Sequence, residues 1–193
     1  MVINPLFAID FYKAGHRKQY PKGTEYVYSN FTPRSSHLAV SNTLDDFDDR
    51  VVFVGLQGFC KWFLVDCWNE QFFNKRKDEV VADYKRRMDT SLGPDAVGTE
   101  HIEALHDLGY LPIKIKALPE GSRVNIKVPM FTIVNTDPRF FWLTNYLETV
   151  ISAEVWKPCT VATLAYEYNR LVRKYAERTG ADPEFCAIQC HNF

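Results

Sequence analysis

The stretch from Leu111 to Asn135 constrains the fold most, because its apolar and polar side chains alternate more clearly than anywhere else in the chain. Residues 113–117 alternate between apolar side chains and lysines, a turn follows at Pro119-Glu120-Gly121, and two further apolar runs cover 124–128 and 130–134. A period of two is typical of strands. Since one face is apolar and the other carries lysines, this region predicts an antiparallel or mixed sheet with one solvated face.

Helical spacing dominates the rest of the chain. After Gly55 the residues Phe59, Trp62, Phe63 and Cys67 predict one apolar helix face. Further helices are predicted over 78–90, from a Thr99 cap to Gly109, from a Thr136 cap with Pro138 in the first turn to Pro158, and over 160–179. Pro158 is expected to separate the last two helices. Together with the sheet, these helices predict an α+β amino-terminal domain.

The last residues predict a different architecture. The apolar run from Phe185 to Cys190 is typical of a buried parallel strand, and a helix followed by such a strand begins an α/β repeat. We therefore predict an α+β domain over 1–155 and the first helix and strand of an α/β barrel over 156–193. Such a strand needs parallel neighbours, so the chain is expected to be a fragment.

Charge and cysteine content exclude several classes of protein. The net charge is −1, and the basic clusters at 75–77 and 85–87 are interleaved with acids, which indicates a solvated face rather than a nucleic-acid surface. No segment reaches membrane-spanning length and no basic leader precedes an apolar run. The five cysteines form no C-x-x-C pair, which favours reduced thiols and a cytoplasmic location. Cys186, Cys190 and His191 offer at most three ligands, so no zinc site is predicted.

The segment from Asp10 to Pro21 carries the densest chemistry. It holds an acid, two tyrosines, a histidine and several cations, a set that suits an anionic, aromatic ligand. Asp10 is placed to cap a short helix and Pro21 to end it. The same features also fit an ordinary capped, amphipathic helix without a ligand.

The run DFYKAGHRKQYP resembles the amino-terminal signature of the nicotinamide phosphoribosyltransferases, which has the form D-(S/F)-Y-K-x-x-H-x-x-Q-Y-P. Further runs that resemble the family follow in the same order: YSNFTPR (28–34), VFVGLQ (52–57), LPIKIKALPEG (111–121), NTDP (135–138), WLTNYLET (142–149) and TVAT (160–163). The final His191-Asn192-Phe193 resembles the opening of the family motif H-D-F-G-x-R-G, with Asn192 where aspartate is usual.

The resemblance implies an enzyme that transfers phosphoribosyl from phosphoribosyl pyrophosphate to nicotinamide, giving nicotinamide mononucleotide and pyrophosphate in NAD salvage. It implies that Phe193 stacks on the nicotinamide ring and that Tyr12 covers the opposite face from the second subunit of a homodimer. Asp10 is then expected near the ring or ribose, Arg34 toward the phosphates, and His191 near the tunnel that leads to the ring. Phe193 would lie at the carboxyl end of a barrel strand.

The resemblance also implies Mg²⁺, bound with phosphoribosyl pyrophosphate, and ATP for the complete enzyme. Several family site residues lie beyond Phe193, so this chain alone is expected to be inactive and to be completed by a second chain that carries the carboxyl-terminal half or by residues missing from this sequence. Two alternatives stay open: a nicotinate phosphoribosyltransferase, and a non-catalytic dimerisation or interaction module of the same fold.

Overall fold

The computed structural model describes residues 3–37, 39 and 48–192, with only the backbone described at 191 and 192. The α-helices are α1 (Lys13–His16), α2 (Leu56–Phe59), α3 (Lys77–Leu92), α4 (Glu100–Leu108), α5 (Leu143–Thr179) and α6 (Pro183–Ile188). Helix α2 continues into π-helical turns over Cys60–Cys67 and Asn69–Phe73. Short 3-10 turns cover Pro5–Phe7, Arg17–Gln19, Pro138–Phe140 and Gln189–Asn192.

The strands form two small sheets. They are β1 (Tyr28–Phe31), β2 (Val51–Val52), β3 (Ile113–Ala117), β4 (Arg123–Val124) and β5 (Phe131–Asn135). One sheet has the order β1-β5-β3, and β2 pairs antiparallel with β4, with Val51 opposite Val124. In β5 every second residue is buried, as the alternating sequence predicts. The predicted α+β class is confirmed.

The described chain divides into two compact units. The first comprises residues 1–29, 57–116 and 132–153, and the second comprises 30–56, 117–131 and 154–193. The predicted domain boundary between residues 155 and 156 stays a prediction.

The core of the first unit is aromatic. Phe63, Trp68, Phe72, Tyr84 and Phe140 are almost completely buried there. The rings of Trp68 and Phe72 meet edge to face with centroids 5.3 Å apart, an arrangement that the quadrupoles of aromatic rings favour. Much of the high aromatic content is therefore used in packing.

The second unit packs around phenylalanine side chains. Phe53 and Phe131 are buried, and Phe31 stacks on Phe131 with ring centroids 4.9 Å apart. The backbone amide of Val52 donates to the hydroxyl of Thr163 over 2.9 Å, which joins β2 to the carboxyl-terminal part of α5.

The buried face of the helix after Gly55 differs from the predicted one, because the helix contains π-helical turns. Phe59, Phe63, Trp68 and Phe72 are buried, whereas the side chain of Trp62 is exposed. These buried positions are spaced by four, five and four residues, which fits the wider i→i+5 turn better than an α-helix. The prediction was wrong at Trp62 because it assumed a period of 3.6 residues.

Pro158 does not interrupt α5, contrary to the sequence-based prediction of two helices. The helix runs without a break from Leu143 to Thr179. A proline inside a helix removes one backbone hydrogen bond, and its ring needs space. Gly55 provides part of that space, because a Cβ atom at this glycine would lie 3.1 Å from the Cβ of Pro158.

Residues 185–190 are helical, so the predicted strand is wrong in this structure. Asp182 begins α6, and its carboxylate accepts from the amides of Glu184 and Phe185. Pro183 occupies the first turn, where its missing N–H costs no hydrogen bond. The helix satisfies the backbone groups of this run locally, which an isolated parallel strand cannot do.

In the part of the chain that the structure describes, no helix combines the length and the apolar character that crossing a membrane requires.

Candidate functional site

The segment from Asp10 to Gln19 folds into α1 and the 3-10 turn that follows it. The backbone carbonyl of Asp10 accepts from the amide of Lys13 over 2.9 Å, so Asp10 starts the turn through its backbone. The side chain does not cap the helix as predicted. The turn ends at Tyr20, which has extended backbone angles, and Pro21 follows.

The carboxylate of Asp10 instead binds two hydroxyl groups. The Asp10 Oδ2 atom accepts from the Tyr12 hydroxyl over 3.2 Å and from the Thr149 hydroxyl over 2.8 Å. The Thr149 Oγ1 atom in turn accepts from the backbone amide of Asp10 over 3.0 Å. Asp10 and Tyr12 therefore lie together, as the sequence-based site requires, and α5 holds them in place.

A second set of polar contacts fixes the next turn of the segment. Lys13 is buried, and its Nζ atom lies 2.6 Å from Glu148 Oε2 and 3.4 Å from Asn145 Oδ1. The His16 Nδ1 atom lies 2.9 Å from the same Asn145 oxygen. The buried ammonium is thus paired with a carboxylate, as a buried charge requires.

The ring of Tyr12 is available to a ligand. Tyr12 is 59% exposed to solvent. The His16 ring lies beside the Tyr12 ring, with the two ring centroids 5.0 Å apart and the two ring planes tilted by 48°. Partial desolvation and the nearby Asp10 carboxylate raise the pKa of the Tyr12 phenol above its ordinary value. The phenol is therefore neutral at physiological pH and donates its hydrogen to Asp10.

Arg34 belongs to the second unit and is exposed in the loop after β1. The loop is anchored next to it, because the Pro33 carbonyl accepts from the amide of Lys127 over 2.8 Å. Its predicted role near the phosphates stays a prediction.

The remaining predicted site residues lie outside what the structure describes. Phe193 is outside the described residues, and at His191 only the backbone of the last 3-10 turn is described. Their predicted positions beside the nicotinamide ring and its tunnel also stay predictions.

Sequence reasoning missed Asn145, Glu148 and Thr149, which hold the segment from α5. All three belong to the run WLTNYLET that resembles the family. Because positions three and four residues apart share one helix face, their spacing could have predicted a polar face there. Their partners lie about 130 residues earlier in the chain, and no local pattern gives that pairing.

Comparison with known proteins identifies the family of this chain. The family model described as "Nicotinamide phosphoribosyltransferase, N-terminal domain" matches residues 4–115. A nicotinamide phosphoribosyltransferase of Acinetobacter baylyi is 68% identical over 99% of this chain, which covers 37% of that relative. The enzyme of the same name from Xanthomonas campestris pv. campestris is 32% identical over 94% of this chain and 35% of its own length. The chain thus spans just over a third of these relatives.

A solved structure shares the fold. The crystal structure of human nicotinic acid phosphoribosyltransferase matches 85% of this chain and 28% of its own chain, with a TM-score of 0.57 and 22% identity. A likeness at this identity speaks for the fold alone. Since the family model covers more than half of the 193 residues, the chain belongs to the nicotinamide phosphoribosyltransferase family, through its amino-terminal domain.

Proposed function

We propose that this chain is the amino-terminal part of an enzyme that transfers phosphoribosyl from phosphoribosyl pyrophosphate to nicotinamide, giving nicotinamide mononucleotide and pyrophosphate. The relatives named above support this reaction. The arrangement that carries the proposal is the exposed Tyr12 ring beside the Asp10 carboxylate, which Thr149 holds in place.

The chemistry of the reaction suits these two side chains. As the bond between the ribose carbon and pyrophosphate breaks, the ring nitrogen forms the new bond and pyrophosphate leaves with the electron pair. Positive charge then develops on the sugar and the pyridine ring. A carboxylate near the ribose and an aromatic face over the ring both stabilise that charge, so Asp10 and Tyr12 would favour the transition state.

The phosphate groups need cations, which we assign to Arg34 and to Mg²⁺. A guanidinium matches the geometry of phosphate oxygens, and an exposed loop position leaves Arg34 accessible. Among the described residues no group of three or more His, Cys, Asp or Glu side chains could hold a metal ion. We assign Mg²⁺ to the phosphate groups of phosphoribosyl pyrophosphate, and ATP use to the complete enzyme.

The partners are proposed from the resemblance to the family and from exposed apolar side chains. We assign the face of the nicotinamide ring opposite Tyr12 to Phe193, and the position near the tunnel to His191. The complete site would be shared between the subunits of a homodimer, together with the carboxyl-terminal part of the enzyme. Phe185 and Ile188 on α6 are 69% and 62% exposed, which supports a covering partner at this surface. None of the five cysteines, all of which lie in the described part of the chain, forms a disulfide, which supports a cytoplasmic location.

The experiment is formation of nicotinamide mononucleotide from nicotinamide, phosphoribosyl pyrophosphate and Mg²⁺. The purified chain is assayed alone and mixed with the carboxyl-terminal part of the Acinetobacter baylyi relative. We expect turnover only in the mixture, because essential residues come from the second chain. A mixture that prefers nicotinate would contradict the proposed substrate. A mixture that forms a complex without any turnover would favour an interaction module.

A further inference from the structure

The Thr149 side chain makes two hydrogen bonds to one residue. Its oxygen accepts from the Asp10 amide over 3.0 Å, and its hydroxyl donates to Asp10 Oδ2 over 2.8 Å. The same Oδ2 atom accepts from the Tyr12 hydroxyl over 3.2 Å. A chain of hydrogen bonds thus runs from α5 through the carboxylate to the phenol.

Thr149, from which these hydrogen bonds start, has little conformational freedom. Thr149 is β-branched and lies inside α5, so its χ1 angle is restricted. On the preceding turn Tyr146 is buried, and its hydroxyl donates to the backbone carbonyl of Leu6 over 2.5 Å. Asp10 and Tyr12 are both exposed, so without such an anchor their side chains would sample several rotamers.

We propose that Thr149 is a positioning residue that fixes the Asp10 carboxylate, and through it the Tyr12 ring, in one orientation toward the nicotinamide nucleotide. The inference rests on the proposed function. Both side-chain hydrogen bonds that Asp10 makes with described residues use Oδ2, which leaves Oδ1 available to an N–H or O–H donor of the ligand. Loss of the Thr149 hydroxyl would free the carboxylate to turn, and both ligand contacts would weaken together.

The first test needs no catalysis. Tyrosines labelled with ¹³C are titrated by NMR in the isolated chain, and Tyr12→Phe identifies the Tyr12 signal. In the native chain Asp10 contributes to raising the pKa of Tyr12. In Thr149→Val that pKa should fall toward its ordinary value, whereas Thr149→Ser, which keeps the hydroxyl, should retain the native value. An unchanged Tyr12 titration in Thr149→Val would overturn the proposal.

The second test uses the mixture with the carboxyl-terminal part of the relative. We expect Thr149→Val to raise KM for nicotinamide roughly ten-fold, the order expected when a charge-assisted hydrogen bond is lost. Thr149→Ser should restore most of the loss. Thr160→Val is the matched control, because it removes a hydroxyl on α5 that, among the described residues, donates only to the Trp156 carbonyl of its own helix.

The two tests separate the inference from the function on which it rests. In one outcome, Thr149→Val lowers the pKa of Tyr12 in the isolated chain, but the native mixture shows no turnover. That outcome would support the positioning contact and reject the proposed reaction. Turnover that is native-like in Thr149→Val would reject the positioning role and leave the reaction intact. Equal losses in Thr149→Val and Thr160→Val would show a general effect on α5 and would also reject the positioning role.

Discussion

At the scale of single residues, Tyr12 combines an exposed ring with a fixed hydroxyl. Its hydrogen bond to Asp10 and its tilted contact with His16 limit the ring to one orientation while leaving it accessible. A preorganised aromatic face loses little conformational entropy when a flat ligand binds. This feature makes a specific prediction about affinity.

We expect Tyr12→Ala to weaken nicotinamide binding to the completed enzyme roughly ten-fold, because one aromatic face of the site is lost. Isothermal titration calorimetry with nicotinamide measures the change. Tyr26→Ala is the matched control, since Tyr26 is 57% exposed and Tyr12 is 59% exposed in the same unit. Equal effects of the two substitutions would remove Tyr12 from the site.

Gly55 makes a second prediction at this scale. Its φ angle is +99°, and an added Cβ would lie 3.1 Å from Pro158 Cβ. We expect Gly55→Ala to lower the free energy of unfolding by about 2 to 3 kcal/mol, from backbone strain and from crowding of the proline ring. Gly23→Ala is the control, because Gly23 has a φ of +89° and open space. Urea denaturation should show a loss that is about 1 kcal/mol smaller in Gly23→Ala.

The sequence predicts the site residues unevenly, for a physical reason. Asp10 and Tyr12 are two residues apart, so a local motif contains their contact. Thr149 joins them only after α5 has folded against the first residues, a contact across 139 positions. Local patterns carry no information about such a pairing, and a side-chain hydrogen bond leaves no periodic signal in composition.

At the scale of secondary structure elements, α6 shows how capping outweighs composition. Its apolar residues suggest a buried strand, but Asp182, Pro183 and Glu184 supply a cap, a favourable first position and an acid for the helix dipole. Glu184 also pairs with Arg173 of α5. These helix start signals are readable in the sequence, and they outweigh the apolar run that follows them.

We expect Asp182→Ala to destabilise α6 locally by about 1 kcal/mol, because two amides lose their cap. Hydrogen exchange of the amides in 184–188 should become roughly five-fold faster. Asp182→Asn should behave like the native chain, because asparagine caps as well as aspartate. Equally fast exchange in both variants would show that charge, rather than the cap, holds the helix.

At the scale of the whole molecule, a buried histidine makes the chain less stable in acid. His101 is 8% exposed, and its ring meets Trp142 edge to face at 5.0 Å. Burial, with smaller contributions from Arg17 and Lys18, lowers its pKa to about 3 from the ordinary 6.5. Below pH 6.5 the unfolded chain therefore binds a proton that the folded chain does not bind. The free energy of unfolding decreases as the pH is lowered through this range.

We expect this histidine to remove about 1 kcal/mol of stability between pH 7.5 and pH 5.5. Urea denaturation, followed by tryptophan fluorescence at both pH values, gives the slope for the native chain. His101→Gln cannot take up this proton in the unfolded state, so its loss over the same range should be smaller by that amount. Identical pH slopes would contradict the assignment to His101.

The sequence also predicts the general architecture better than its details. Alternation over 113–117 and 130–134 predicted β3 and β5 correctly because a half-buried strand imposes a period of two on composition. The run over 124–128 was predicted wrongly as a strand, since only Arg123 and Val124 pair and Lys127 has a positive φ in the turn that follows. Helices α3 and α4 followed for the same reason, with a period of 3.6. The errors arose where the backbone leaves these two periods, at the π-helical turns, or where one proline lies inside a continuous helix.

The π-helical turns after α2 also determine how the length of this chain can vary. Trp68 and Phe72 reach the core because the helix takes one residue more between Phe63 and Trp68 than an α-helix would use. Deleting that one residue would leave the two side chains four residues apart, which is the spacing that places side chains on one face of an α-helix. Deleting a second residue would rotate every later side chain by about 100° around the axis and take Trp68 and Phe72 out of the core. Sequences that share this fold should therefore tolerate the loss of one residue here and not of two.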